Sequence, residues 1–270
     1  MATPNRSLNA VENLRAKMDR GQPVLGMAAN LADPLVSEIA VDAGFDFVWI
    51  ENEHAYMTTK DVLHHILTLR GTGVAPMVRV PLADAAVIKP YVDLCPAVIV
   101  VPFVRSAAET SVAVAACRYP PEGVRGFGPI RNMGHGELEF DEYLAAASRQ
   151  VMVFVQVEHV DAVNDLDALI ATPGLDGICL GRNDLSGSVG KLGQYDAPEV
   201  AGMIDTLIEK CQDTDLYLGA SLGPDWQPIQ RWAERGMVWF SLGSDTSFVA
   251  EGARALRAQY QSLDAIKKRL

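Results

Sequence analysis

Four short polar clusters carry most of the groups that could do chemistry, and each follows an apolar run: Glu51-Asn52-Glu53-His54, the lone Arg79, Gln156-Val157-Glu158-His159 and Gly181-Arg182-Asn183-Asp184. Glu158 and Asp184 are two carboxylates that could share a hard divalent ion and leave positions open for water and substrate. The same residue types also serve as first-turn acids that complement a helix dipole, and spacing does not separate the two readings. His54 has the residue type of a general base near neutral pH, or of an ordinary polar loop histidine. Arg79 lies in Met77-Val78-Arg79-Val80-Pro81. A buried guanidinium there needs an anion, which could be a structural carboxylate or a bound oxyanion that its forked donors would grip.

The remaining residue types narrow the chemistry. The lysines Lys17, Lys60, Lys89, Lys191, Lys210, Lys267 and Lys268 fall in expected helices or loops. None lies in an expected barrel strand, which disfavours imine chemistry. No Walker sequence, dinucleotide fingerprint or G-x-S-x-G elbow is present. No Cys or His cluster has zinc-ligand spacing. Cys95, Cys117, Cys179 and Cys211 are scattered; they read as small buried hydrophobes and suit a reducing cytoplasm. His64 and His65 fall in a helical stretch and read as solvated or packed, as does His135 in its loop.

The elements that must hold these clusters follow from hydropathy. The chain has 270 residues, of which 49% are hydrophobic and 21% charged, so it can bury a large core. Its formal charge of −11 lacks the basic stripe a nucleic acid would need. The longest uncharged apolar run, Leu94 to Val104, is too short to span a bilayer, and the N-terminus shows no signal peptide. Apolar runs predict strands at Val24–Ala29, Phe45–Ile50, Ala75–Val80, Ala97–Val101, Val151–Val157, Gly177–Leu180, Leu216–Ala220 and Met237–Leu242. Runs such as AVIVV and VMVFVQV suit strands buried on both faces of a parallel sheet.

Helical spacing predicts Pro34–Val41, Thr59–Arg70, Ala85–Leu94, Ala107–Cys117, Ala162–Ile170, Pro198–Cys211, Gln227–Arg235 and Phe248–Gln259. Asn9–Arg20 reads as an extra helix before the first strand. The alternation predicts a (β/α)8 TIM barrel in one domain over residues 1–270, with a doubly wound open sheet as the alternative. A Leu-Gly turn that reaches an Asp recurs at Leu180, Leu222 and Leu242 and reads as βα punctuation. Arg118–Gln150 breaks the rhythm with a glycine-rich loop and a short helix, Phe140–Ser148. It reads as a long loop after strand 4, at the barrel mouth.

Together, GMAANLADPLVSEIAVDAGFDFVWIENEH, PMVRVP, RYPPEGVRGFGP, VQVEHVDAVNDLDALI and LDGICLGRNDLSGSVG resemble the HpcH/HpaI aldolase family from about Gly26 to Ala258. That family comprises metal-dependent pyruvate aldolases of the phosphoenolpyruvate/pyruvate superfamily. The resemblance implies a class II aldolase that joins or cleaves a small keto acid and an aldehyde through a metal-bound pyruvate enolate. It implies Glu158 and Asp184 as ligands of Mg2+, Mn2+ or Co2+, and Arg79 as the contact to the keto oxygen. It implies a proton-handling pair of His54 and Asp93, with His54 or a metal-bound water as the base. Gln156 matches a polar residue near the metal, and the Gly181 and Asn183 amides match those that hold the pyruvate carboxylate. A homo-oligomer is also implied, a hexamer built as a trimer of dimers with the last helix exchanged; the cysteines place it in the cytoplasm.

The departures fall on the aldehyde side. Glu51 stands where the family commonly has Asp, and Asn52 where it has Gly. Gly181-Arg182-Asn183-Asp184 replaces a usual Gly-Pro-Ala-Asp, and Pro129-Ile130-Arg131-Asn132-Met133 replaces a small-residue run. Arg182 and Arg131 are therefore extra cations. They could recognise an acidic or polyhydroxylated acceptor, or form ion pairs. Two alternatives remain open at this stage: a lyase or decarboxylase acting on an oxaloacetate-like or CoA-linked acid, and a non-catalytic keto-acid-binding protein.

Overall fold

The computed structural model describes residues 8–223 and 225–267. Residues 1–7, Pro224 and 268–270, and with them the N-terminal targeting question, one residue of the second Leu-Gly turn and Lys268, lie outside that range. Eight parallel strands close into a barrel in sequence order. They are β1 (Val24–Ala29), β2 (Phe47–Glu51), β3 (Ala75–Arg79), β4 (Val98–Val101), β5 (Met152–Val157), β6 (Gly177–Leu180), β7 (Tyr217–Leu222) and β8 (Trp239–Ser244). The helices described are α1 (Val11–Met18), α2 (Leu35–Asp42), α3 (Thr59–Leu69), α4 (Ala85–Val92), α5 (Ala107–Cys117), α6 (Phe140–Gln150), α7 (Val160–Asn164), α8 (Leu166–Ile170), α9 (Arg182–Ser188), α10 (Pro198–Cys211), α11 (Gln227–Glu234) and α12 (Asp245–Lys267). The closure settles the choice between barrel and open sheet.

The continuous apolar strands have the burial their sequence requires. Alternate residues of each strand feed two cores. Val48, Ile50, Val78, Ile99, Val101, Val153 and Val155 face the helices. Phe47, Trp49, Met77, Val98, Val100, Met152, Phe154, Cys179 and Trp239 fill the interior. Space for the large rings comes from glycine opposite them: a Cβ on Gly219 would lie 2.2 Å from the Trp239 ring. Helix α1 closes the base of the barrel with Val11, Leu14 and Met18 packed on the interior cluster. The Asn9 Nδ2 ties it down through the carbonyls of Pro96 at 2.8 Å and Gln150 at 2.7 Å.

Three expectations change. The long segment after Arg118 follows α5 and precedes β5, so it is an αβ connection at the base rather than a βα loop at the mouth. The strand 4 to helix connection at the mouth is the short stretch 102–106. The helix expected over Ala162–Ile170 is broken at Asp165, whose Oδ2 accepts the Ala107 N–H at 2.7 Å. Helix α9 is an addition that glycine and serine content hid from a propensity reading.

Helix α12 also starts earlier and runs further than its apolar spacing indicated. Asp245 anchors its start by accepting the amides of Asn30 at 3.0 Å and Leu31 at 2.8 Å. Further along, Val249, Leu256 and Tyr260 are exposed. Among the described residues, no helix is long and apolar enough to cross a membrane.

Candidate active site

The ends of β2, β3, β5 and β6 bring the sequence-selected residues to one mouth. Register does the first part of the work, because Glu51 and Arg79 are paired across β2 and β3. The Arg79 Nε–H donates to Glu51 Oε2 at 2.7 Å, and its Nη1–H donates to Gln156 Oε1 at 3.2 Å. Nη1 also lies 2.8 Å from Glu53 Oε2, off the line of a hydrogen bond. The carboxylate partners that a buried Arg79 requires are therefore Glu51 and Glu53. Strand-end polarity had marked both residues without assigning either a role.

A relay leads from Arg79 to the second carboxylate group. Gln156 accepts from Arg79 and donates from Nε2 to Glu158 Oε2 at 2.8 Å. Glu158 Oε1 accepts the Phe103 amide at 2.8 Å. Phe103 has a φ of 57°, a left-handed conformation that is strained for a non-glycine residue. Its amide thereby orients Glu158, a contact with no signal in the sequence. Glu158 is only 3% exposed. Gly181 lets it sit there, since a side chain at that position would overlap it. Asp184 follows in the first turn of α9.

The site is short of positive charge. Four carboxylates, Glu51, Glu53, Glu158 and Asp184, interact electrically around one guanidinium. Burial would raise the Glu51 pKa, but the Arg79 charge and its hydrogen bonds bring it below the usual value. Burial raises Glu53 against the opposing pull of Arg79 and His54, with Glu51 and Asp184 pushing it further up. Burial pushes Glu158 up to about 7, partly offset by the Phe103 amide, and Glu53 and Asp184 add to the rise. A buried carboxylate near a second one, neither in an ion pair among the described residues, is a donor set that fits a hard divalent ion. Among the described residues, no three Asp, Glu, His or Cys side chains form a metal cage. The chain thus offers two carboxylates, and the other coordination positions would fall to water or substrate.

Other expected site residues lie elsewhere or are already engaged. Asp93 caps the C-terminal end of α4, directed toward the start of β4. It pairs with Arg125 at 2.7 Å, whereas His54 stands at the mouth with its side chain 70% exposed and its Nε2 3.8 Å from Glu53. The expected His54–Asp93 pair is therefore not formed within one chain. Arg131 belongs to the basal connection, is buried, and donates to the Leu94 carbonyl at 2.9 Å, so within the chain it does not face the mouth. Arg182 pairs with Asp225 at 2.8 Å, and its Cζ lies 4.1 Å from the Tyr195 ring centroid. It lines a groove of about 610 Å3 between α10 and α11. The Gly181 amide is taken by the Val157 carbonyl at 3.2 Å. The Asn183 amide lies in the first turn of α9, where a helix leaves N–H groups without internal partners. His159 caps α7 by accepting the Asp161 amide at 3.1 Å.

Comparison with known proteins agrees with this fold. The HpcH/HpaI aldolase/citrate lyase family matches residues 25–251. A hydroxypyruvate/pyruvate aldolase of Pseudomonas aeruginosa is 32% identical over 93% of each chain. A 4-hydroxy-2-oxovalerate aldolase of Rhodococcus jostii is 33% identical over 93% of this chain and 96% of its own. The crystal structure of an HpcH/HpaI aldolase from Desulfitobacterium hafniense superposes with a TM-score of 0.83 at 26% identity, covering 90% of this chain and 96% of that one. With a family model matched over residues 25–251 and relatives 32% and 33% identical over 93% of its length, the chain belongs to the HpcH/HpaI aldolase/citrate lyase family.

Proposed function

We propose that this chain is a divalent-metal-dependent class II aldolase that reversibly cleaves a 4-hydroxy-2-oxo acid to pyruvate, or a close analogue, and an aldehyde. The observation that carries the reading is the convergence of the buried Glu158 and the exposed Asp184 on the same mouth as Arg79, close enough for Asp184 to raise the Glu158 pKa. Relatives named as hydroxypyruvate/pyruvate and 4-hydroxy-2-oxovalerate aldolases support it.

Glu158 and Asp184 would hold Mg2+, Mn2+ or Co2+, which when bound supplies a Lewis acid to the keto and carboxylate oxygens of the substrate. Arg79 sets its positive charge where the C2 oxygen gains negative charge as the enolate forms. One such preorganised donor contributes about 3 kcal/mol. Gln156 holds Arg79 and Glu158 in one frame. The Asn183 amide, at the start of α9, receives the substrate carboxylate. In cleavage, His54 takes the proton of the 4-hydroxyl, the C3–C4 bond breaks, and its electrons form the C2–C3 double bond of the enolate. The aldehyde leaves, and protonation at C3 gives pyruvate. Addition runs the same steps in reverse.

The enzyme acts on small molecules, in the cytoplasm, as a homo-oligomer arranged as a hexamer of three dimers with α12 exchanged. The exposed Val249, Leu256 and Tyr260 on α12 support the oligomer. The four buried, unpaired cysteines support a reducing compartment. A product assay tests the activity. Chelator should abolish pyruvate and aldehyde release, and Mg2+, Mn2+ or Co2+ should restore it, with no CO2 formed. Covalent trapping by borohydride with activity that survives chelator would overturn the reading.

A further inference from the structure

One layer deeper than the mouth, the barrel interior holds an indole that the proposed chemistry does not use. Trp49 and Glu51 are two residues apart on β2, so both side chains enter the barrel from one strand face. The Trp49 Nε1–H donates to Glu51 Oε2 at 2.9 Å. That same oxygen accepts the Arg79 Nε–H at 2.7 Å and pairs with Arg79 Nη2. The other oxygen, Oε1, accepts the amides of Glu53 at 2.7 Å and His54 at 2.9 Å. The Glu51 carboxylate is thus filled from three directions: the indole, the guanidinium and the turn that carries His54.

Trp49 also touches Arg79 directly. The Arg79 Cζ lies 5.4 Å from the indole centroid, within cation–π reach. The indole itself is immobilised, 1% exposed and stacked on Trp239 with centroids 6.2 Å apart and planes 25° apart. An Asp at position 51 would still reach the amides two and three residues on, the ordinary Asx-turn pattern. It would be drawn back from Nε1 by one methylene. The longer Glu51 is what allows the indole and the turn to share one carboxylate.

We infer that Trp49 is a positioning residue for Arg79: its indole N–H fixes the Glu51 carboxylate that aims the guanidinium at the keto acid. The kinetic part of this inference rests on the aldolase reading; the structural part does not. Losing a buried donor to a charged acceptor while the fold persists should let Arg79 swing. The loss should then appear in the step that forms the enolate rather than in binding of the keto acid.

The test is a double-mutant cycle on Trp49→Phe and Glu51→Asp in the metal-loaded full chain, read by deuterium exchange of the pyruvate methyl protons. Each single variant should lose about tenfold or more in kcat for exchange, with KM for pyruvate changing about threefold or less. The double variant should lose no more than the worse single one, because both changes break one unit. In parallel, the 1H–15N signal of the Arg79 Nε–H, assigned by its disappearance in Arg79→Lys, should be protected from solvent exchange in the parent and lose that protection in Trp49→Phe. Parent-like exchange kinetics in Trp49→Phe, losses that multiply in the double variant, or an unchanged Arg79 signal would overturn the inference. If Trp49→Phe does not fold, Glu51→Gln keeps the size and removes the charge, and parent-like kcat and Arg79 protection there would overturn it equally. If the parent itself exchanges no pyruvate protons, the aldolase reading fails, and the NMR signal still decides the role of Trp49.

Discussion

A Cβ on Gly181 would lie 2.3 Å from Glu158 Oε2 and 2.6 Å from Glu158 Cβ. The first residue after β6 thus fixes where the carboxylate after β5 can stand. Gly181→Ala is expected to displace Glu158 and to weaken Mn2+ binding about tenfold or more, as loss of ligand support commonly does. Titration calorimetry with Mn2+ checks it. Parent affinity in Gly181→Ala would show that Glu158 is not a ligand.

Arg79 should act on the transition state more than on binding. Arg79→Ala is expected to lose about a hundredfold or more in both pyruvate proton exchange and aldol cleavage, since both pass through the enolate. Arg79→Lys keeps the charge but loses the fork that spans Glu51 and Gln156, so it should recover only part of the rate. NMR exchange beside a cleavage assay reads both activities. An Arg79→Ala variant that exchanges at the parent rate would contradict the assignment.

His54 should divide those two activities. It stands exposed at the mouth and is assigned to the acceptor-side proton. His54→Ala is expected to slow cleavage about a hundredfold, within the usual range for general acid–base catalysis. It should leave methyl-proton exchange near the parent rate. Equal losses in both assays would place His54 on the enolate side instead.

His65 gives stability a pH dependence separate from the active site. Its Nε2–H donates to the Leu31 carbonyl at 2.9 Å, which leaves Nδ1 to accept the Ser37 hydroxyl at 2.8 Å. Burial holds its pKa below the ordinary 6.5, against weaker raising effects from the Leu31 carbonyl and nearby acids. The unfolded chain therefore binds this proton more readily than the folded one. The contribution is fully present above pH 6.5 and is lost as pH falls from there toward the lower folded value. Thermal unfolding between pH 7.5 and 5.5 should show a smaller fall in Tm for His65→Gln than for the parent. Parallel curves would remove His65 from the acid sensitivity.

Arg131 should matter to folding and not to acceptor choice within the subunit. It is a buried cation in the basal connection, held by the Leu94 carbonyl. Arg131→Met should leave the ratio of kcat/KM for charged and neutral aldehydes unchanged. A shifted ratio would bring Arg131 to a mouth, which on this geometry requires a second copy of the chain.

The sequence by itself determined the alternation of eight strands with helices and most of their bounds, while closure into a barrel came only with the tertiary structure. Val24–Ala29, Gly177–Leu180, Ala107–Cys117 and Pro198–Cys211 are found at their expected bounds. Periodicity reports which side chains must leave water, and a strand buried on both faces has few alternatives. The same logic made Arg79, Glu158, Asp184, His54 and Gln156 legible as strand-end polar residues. What it could not settle were relations across the barrel. Glu51 and Glu53 became the partners of Arg79 through the β2–β3 register, and Phe103 came to orient Glu158 through a backbone angle. Asp93 and the loop carrying Arg131 were displaced from the mouth because α4 and α5, respectively, carry the chain to the other end of the barrel before they are reached. Local pattern records burial. Which end of a closed barrel a residue occupies, and which carboxylate meets which cation, are fixed only when distant strands come into register and exclude water between them.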